Sequence, residues 1–171
     1  MQVSDLEHVL AWRNAPQVRD MMYTRHEISI EEHRRWFEAA SRDDSRHLLI
    51  FELDSVACGF SNLSRLRNSP VAEWGFYLAP DAPRGSGRKM GVAVLDHAFD
   101  ELGIHKVCGE AIAFNERSIR YHESLGFMCE GILRQQFFDG TDYHDVHCFG
   151  LLNDEWKVRD SQVISQESND E

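Results

Sequence analysis

The sequence predicts one α/β domain: a central mixed sheet of about six strands flanked by helices. Two observations predict it. The 171 residues suit a single core, and strand-like segments stand before, between and after two strongly amphipathic helical segments. No internal repeat or linker divides the chain.

Asp5 to Arg13 carries Leu6, Val9, Leu10 and Trp12 at near-helical spacing, and Asn14-Ala-Pro-Gln17 reads as a cap with proline entering a second short helix. Ser29-Ile-Glu-Glu32 matches a capping box and starts a helix over Ile30 to Ala40. His47 to Leu53 and Val56 to Arg67 form a hairpin around Asp54-Ser55. Val71 to Leu78 is a third strand, ended by Ala79-Pro80 because proline has no amide to donate to a ladder. Gly87 to Leu102 aligns Val92, Leu95, Ala98, Phe99 and Leu102 on one helical face, with Gly103 as the stop. Lys106 to Ala111 is a strand; Asn115 caps a helix over Glu116 to Leu125 that Gly126 terminates. Phe127 to Phe138 and Tyr143 to Leu151 are strands joined through Asp139-Gly140. The domain thus spans residues 1–157, and the polar, acidic residues 158–171 form a disordered tail.

Eighteen Lys and Arg against twenty-nine Asp and Glu leave a net charge of −11, which repels polyanions and argues against nucleic acid as a partner. Cys58, Cys108, Cys129 and Cys148 contain no CxxC pair, and three of them sit in apolar, strand-like surroundings, as in a reducing compartment. The first residues carry no basic and apolar leader, and no apolar run approaches the ~20 residues that span a bilayer. The expectation is a cytoplasmic protein with no membrane partner, as a monomer or homodimer.

Two constellations carry chemistry. Arg84-Gly-Ser-Gly-Arg-Lys-Met-Gly91 lies between a strand and the start of the long helix. Its glycines let several N–H groups converge where the helix dipole is positive, a fit for phosphate oxygens. The alternative is a plain flexible loop. It is neither a P-loop nor a dinucleotide fingerprint, since G-K-[ST] spacing is absent and Met90 stands where a third glycine belongs. In Asn115 to Phe127, Ser118 falls in the first helical turn and Tyr121 three residues later on a similar face. Tyr121 could donate a phenolic proton or could simply be a half-buried tyrosine bonded to a carbonyl.

Together these segments resemble the GNAT N-acetyltransferases. Arg84 to Gly91 is similar to their acyl-CoA pyrophosphate loop, Q/R-x-x-G-x-G/A, and Asn115 to Phe127 to their N-x-x-[SA]-x-x-x-Y-x-x-x-G-F element, over about Leu6 to Trp156. Lys89 departs from the pattern, standing where the family has Gly or Ala. The family's first strand has only Met1 to Ser4 to occupy here. The resemblance implies a V-shaped splay between two neighbouring parallel strands and acetyl-CoA as co-substrate, with no metal. It implies cofactor contacts from Phe76, Leu78, Arg84, Gly85, Gly87, Arg88, Lys89, Asn115 and Ser118. Tyr121 matches the residue that protonates the departing thiolate. Glu110 matches a carboxylate that takes the ammonium proton; Glu73 or no residue at all are the other options for the base.

Leu10-Ala-Trp-Arg-Asn-Ala-Pro16 and Ile30-Glu-Glu-His-Arg-Arg-Trp-Phe37 resemble the N-terminal elements of two acetyltransferase branches. One acetylates the 4-amino group of UDP-4-amino-4,6-dideoxy-N-acetyl-altrosamine on the way to the pseudaminic acid of flagellin; the other acetylates ribosomal protein N-termini. The first is the closer likeness. It implies that Arg13 and His33 sandwich uracil and that Ser64 and Arg65 reach phosphate. A non-catalytic acyl-CoA-binding module is the rival of another class. His144-Asp-Val-His147 with Cys148 is read as structural, because on a strand the two histidines point to opposite faces.

Overall fold

The computed structural model describes residues 1–66 and 69–158. Six strands form one sheet in the order β1-β2-β3-β4-β6-β5: β1 Arg46–Leu53, β2 Val56–Arg65, β3 Val71–Leu78, β4 Lys106–Ile112, β5 Met128–Phe138 and β6 Tyr143–Leu152. Only β3 and β4 run parallel; every other neighbouring pair is antiparallel. Helices accompany them: α1 Leu6–Asn14, α2 Pro16–Arg19, α3 Ile30–Ala40, α4 Ser86–Asp96 and α5 Glu116–Ser124, and residues 153–158 are helical as well. The expected tail from residue 159 onward, and the expected end of the second strand at Arg67, lie outside the described residues.

The two sheet faces bury separate clusters. Period-2 alternation sends Leu63, Ala72, Trp74, Val107, Phe149 and Leu151 against Met90, Val94 and Leu95 of α4 and Leu125 after α5. The other face puts Phe60, Tyr77 and Ile50 against Val9 and Trp12 of α1 and Trp36 of α3. Covered on both sides, the middle of the sheet is the rigid element on which a site can be held.

Several boundaries follow sequence chemistry. The Ser29 hydroxyl accepts from the Glu32 amide at 3.1 Å, which starts α3 at Ile30. The capping box is only half made, because the Glu32 carboxylate turns to His26 at 3.1 Å instead of the Ser29 amide. Asp54 and Ser55 take φ of 49° and 63°, the left-handed pair of a tight hairpin. The expected helix to Leu102 is interrupted: α4 ends at Asp96 and His97–Glu101 form a π turn before Gly103, φ 62°, stops the chain. Residues 3–5 form a 3-10 turn, and the Met1 ammonium donates to the Leu48 carbonyl at 2.8 Å, so no strand precedes α1 among the described residues. Among the described residues no helix is long and apolar enough to cross a membrane.

Candidate active site

The parallel ladder is short. β3 and β4 pair at Val71 with Lys106, Ala72 with Val107 and Glu73 with Cys108, and there the register ends, although β3 runs on to Leu78 and β4 to Ile112. Beyond Glu73 the strands diverge. A cavity of about 1020 Å³ occupies the opening, lined by Glu73 to Ala79 on one side and Cys108 to Ile112 on the other. β2 satisfies only one edge of β3, so the edge turned toward β4 keeps backbone amides and carbonyls for a ligand. Gly75 sits at this edge with nothing within 4 Å of where a Cβ would stand. That space and the free edge fit an extended carrier chain.

The opening pierces the sheet, and its two sides differ chemically. On the α4–α5 side, Phe76 and Leu78 line the cavity with Arg84, Gly85, Gly87, Asn115, Ser118 and Tyr121. Gly85 has φ 85°, a left-handed conformation that presents the α4 amides to this end and that a side chain would strain. Arg117 and Arg120 of α5 join the lining. Neither stood out in the sequence, though both lie in the first helical turns after Asn115. Of the expected phosphate contacts, Arg88 and Lys89 are not among the lining residues. Arg88 donates to the Ser124 carbonyl at 3.3 Å, across the helix pair.

Tyr121 donates its phenol to the Gly87 carbonyl at 2.7 Å, and burial pushes its pKa upward, so the proton stays on oxygen through neutral pH. Behind it the Trp74 indole donates to His122 Nε2 at 3.1 Å, which leaves His122 Nδ1 to donate to the Ser118 carbonyl at 2.8 Å. Burial lowers the pKa of His122 to about 4. Gly109 is required beside this pair, since a Cβ would stand 2.4 Å from His122 Nε2 and 2.6 Å from Trp74 Nε1. His122 and Trp74 therefore fix the wall against which Tyr121 packs.

On the opposite side stand Glu73, Cys108, Glu110, Glu130 and Cys148. Burial raises both thiol pKa values, which keeps them protonated and unreactive. Tyr23, given no role from the sequence, reaches from the α2–α3 loop to donate to Glu110 Oε2 at 2.6 Å. Met21 and Met22 complete this wall with Gln17 and Val18 of α2.

The residues expected around a nucleotide lie behind that wall. Arg13 lies close enough to His33 and to Tyr77 to act on both electrostatically, but neither Arg13 nor His33 lines the cavity. Arg13 Nη2 donates to the Thr24 carbonyl at 2.9 Å, while Arg13 Nη1 and His33 Nε2 are buried without a partner. One face of His33 stacks on Trp36, centroids 5.0 Å apart. Ser64 accepts from Asn62 at 3.1 Å, and Arg65 donates to the Leu102 carbonyl; neither lines the cavity. His144 pairs with Asp139 at 2.8 Å. Among the described residues no three His, Cys, Asp or Glu side chains converge as a metal site.

Residues 1–128 match the model of the Acetyltransferase (GNAT) domain. The prophage-derived uncharacterized N-acetyltransferase YokL of Bacillus subtilis is 35% identical over 128 residues, 73% of this chain and 72% of its own length. Acetyltransferase PseH of Campylobacter jejuni is 23% identical over 126 residues, 72% of this chain and 76% of its own. A crystal structure of spermidine N-acetyltransferase from Vibrio cholerae, in complex with CoA and spermine, superposes with a TM-score of 0.82 at 21% identity, covering 91% of this chain and 94% of that one. A parallel strand pair that parts at Glu73 and Cys108, a glycine-led α4 and a family model over three quarters of the sequence meet in one conclusion: the chain belongs to the GNAT family of N-acetyltransferases.

Proposed function

We propose that this N-acetyltransferase moves acetyl from acetyl-CoA to the 4-amino group of a UDP-linked 4-amino-4,6-dideoxy sugar, a step toward pseudaminic acid, by direct attack of the amine. The observation that carries the transfer chemistry is the position of Tyr121 and Glu110 on opposite sides of the opening between β3 and β4. Phe76 and Leu78 offer backbone groups to pantetheine and to the thioester oxygen, and Arg84, Gly85, Gly87, Asn115 and Ser118 hold its phosphate end. Glu110 accepts a proton from the incoming ammonium. The freed nitrogen bonds to the acetyl carbon, the carbon–sulfur bond breaks, and Tyr121 protonates the sulfur. The nitrogen loses two protons and sulfur gains one, so one proton leaves to water for each turnover.

The sugar-nucleotide acceptor is supported by the similarity to PseH and by Arg13 Nη1 and His33 Nε2. Two adjacent buried nitrogens without partners are costly unless a ligand oxygen or bound water meets them. A second reading, a cationic amine of the polyamine kind, is favoured by Glu73 and Glu110 on the acceptor wall; Glu130 beside them is already paired with Lys106 at 2.7 Å. Steady-state turnover with the UDP-4-amino-sugar, spermidine and an N-terminal peptide separates the readings, with calorimetric titration of UDP alongside. Turnover of the sugar nucleotide with UDP binding weakened in Arg13→Ala is expected. Turnover of spermidine alone, with no UDP binding, selects the polyamine reading.

A further inference from the structure

The acceptor wall contains a contact that the transfer chemistry above does not use. Tyr23 stands on the α2–α3 loop, 87 residues from Glu110, yet its hydroxyl meets Glu110 Oε2 at 2.6 Å, within the range of a strong hydrogen bond to an ionised acceptor. The ring is half exposed, so packing alone does not hold it there. It rests edge-on against Phe137 of β5 at 5.5 Å.

The loop that carries Tyr23 is anchored along its length. Asn14 accepts from the Ile28 amide at 2.9 Å and donates to the Ile28 carbonyl at 2.8 Å. Arg13 donates to the Thr24 carbonyl, next to Tyr23. Arg25 faces Asp139 at 3.7 Å and lies 5.9 Å over the Phe114 ring. The ties reach α1 on one side and the β5–β6 turn and Phe114 on the other, so the loop is a fixed brace and the Tyr23 hydroxyl has a defined position. Burial and the Glu110 carboxylate both raise the Tyr23 pKa, which keeps the phenol a donor at any pH where the enzyme would work.

We infer that Tyr23 is a positioning residue for acetyl transfer: its hydroxyl occupies Glu110 Oε2 and so commits Oε1 to the acceptor nitrogen. A carboxylate on a strand in an open cavity has several χ rotamers, and each alternative orientation points its lone pairs away from the amine. A hydrogen bond from a braced tyrosine selects one of them before the acceptor arrives, the pre-organisation that a proton-accepting group needs. Tyr23→Phe keeps the ring and its backbone ties and removes only the hydroxyl that bonds Glu110.

This inference rests on Glu110 as the proton acceptor of the proposed reaction. The test is a double-mutant cycle of Tyr23→Phe, Glu110→Gln and the pair, in the full chain. Initial rates are read with acetyl-CoA and each acceptor of the panel above, and melting curves check folding. Tyr23→Phe is expected to lower kcat about tenfold with the acetyl-CoA KM unchanged, and to have no further effect in the Glu110→Gln background. Native kinetics in Tyr23→Phe beside an impaired Glu110→Gln overturn the positioning role alone, as does an equal loss in both backgrounds. Native turnover in Glu110→Gln overturns the proton-acceptor assignment and this inference with it. A rise in acetyl-CoA KM in Tyr23→Phe identifies a general distortion of the opening and also overturns it.

Discussion

Tyr121 shows how a single residue acquires a task from its surroundings. Its phenol is held at Gly87, and burial keeps it protonated, so a proton is available where a thiolate departs and no ionisation of Tyr121 intervenes near neutral pH. Tyr121→Phe preserves the ring contacts with Trp74 and Phe76. It should lower kcat by about 10²-fold, the lower range for one positioned acid, while calorimetry finds CoA affinity unchanged. The neighbouring His122 makes a separate, pH-dependent contribution to stability. Its pKa falls from 6.5 to about 4 in the folded protein. The unfolded chain therefore binds a proton below pH 6.5 that the fold refuses. Stability from this group is complete above that pH and is lost as pH falls toward 4, with a ceiling on the order of 3 kcal/mol. Urea unfolding at pH 7 and pH 4.5 should show a smaller difference in His122→Gln than in the native chain.

At the scale of an element, the α4 amino-terminus separates binding from folding. Gly85 has a left-handed φ, and alanine there should cost about 1 kcal/mol in urea melts. Gly87 is different. Its Cβ would lie 3.6 Å from Leu78 and 3.8 Å from Tyr121, ordinary contact distances, so Gly87→Ala should fold normally. Yet that methyl would enter the expected pyrophosphate cradle, and the acetyl-CoA KM should rise at least tenfold in initial-rate assays. This loop was legible in the sequence because glycine and helix-start chemistry are local. So were α3, β3 and the Asn115 cap, whose side chain accepts from the Ser118 amide at 3.1 Å. The π turn was not: Ala98, Phe99 and Leu102 recur with the same spacing whether the helix continues or widens. Nor was the irregular register of β5 between Leu133 and Phe137, where Gln135 takes φ 53° because its amide donates to Asp145 on another strand. The contacts of the 20–28 loop were not legible for the same reason. The loop is polar and without period, and the contacts that bring Tyr23 to Glu110 come from residues far away in sequence.

For the whole molecule, the splay divides the sheet into β1-β2-β3 and β4-β6-β5, joined directly by a ladder that stops at Glu73 and Cys108. On one face α4 and α5 bury Met90, Leu95 and Leu125 against both halves, and on the other the 20–28 loop reaches from α1 to Glu110 and Phe137. The opening leaves the edge of β3 from Trp74 to Leu78 unpaired toward β4, so that edge exchanges its amide protons with water more readily than the same strand's bonded edge. A carrier seated there supplies the missing hydrogen bonds and also links the two halves. CoA at a hundred times its dissociation constant adds about 2.7 kcal/mol by mass action, a rise in melting temperature of roughly 5–10 °C for a chain of this size. Hydrogen exchange fixes where that stabilisation acts. If β3 grips the carrier, the slowing on CoA binding should concentrate in peptides covering Gly75 to Leu78 and the α4 amino-terminus, exceeding that in β1, which touches neither half of the opening. Uniform slowing across all six strands would instead mean that CoA stabilises the fold without bridging the gap. The free β3 edge would then have no part in holding it.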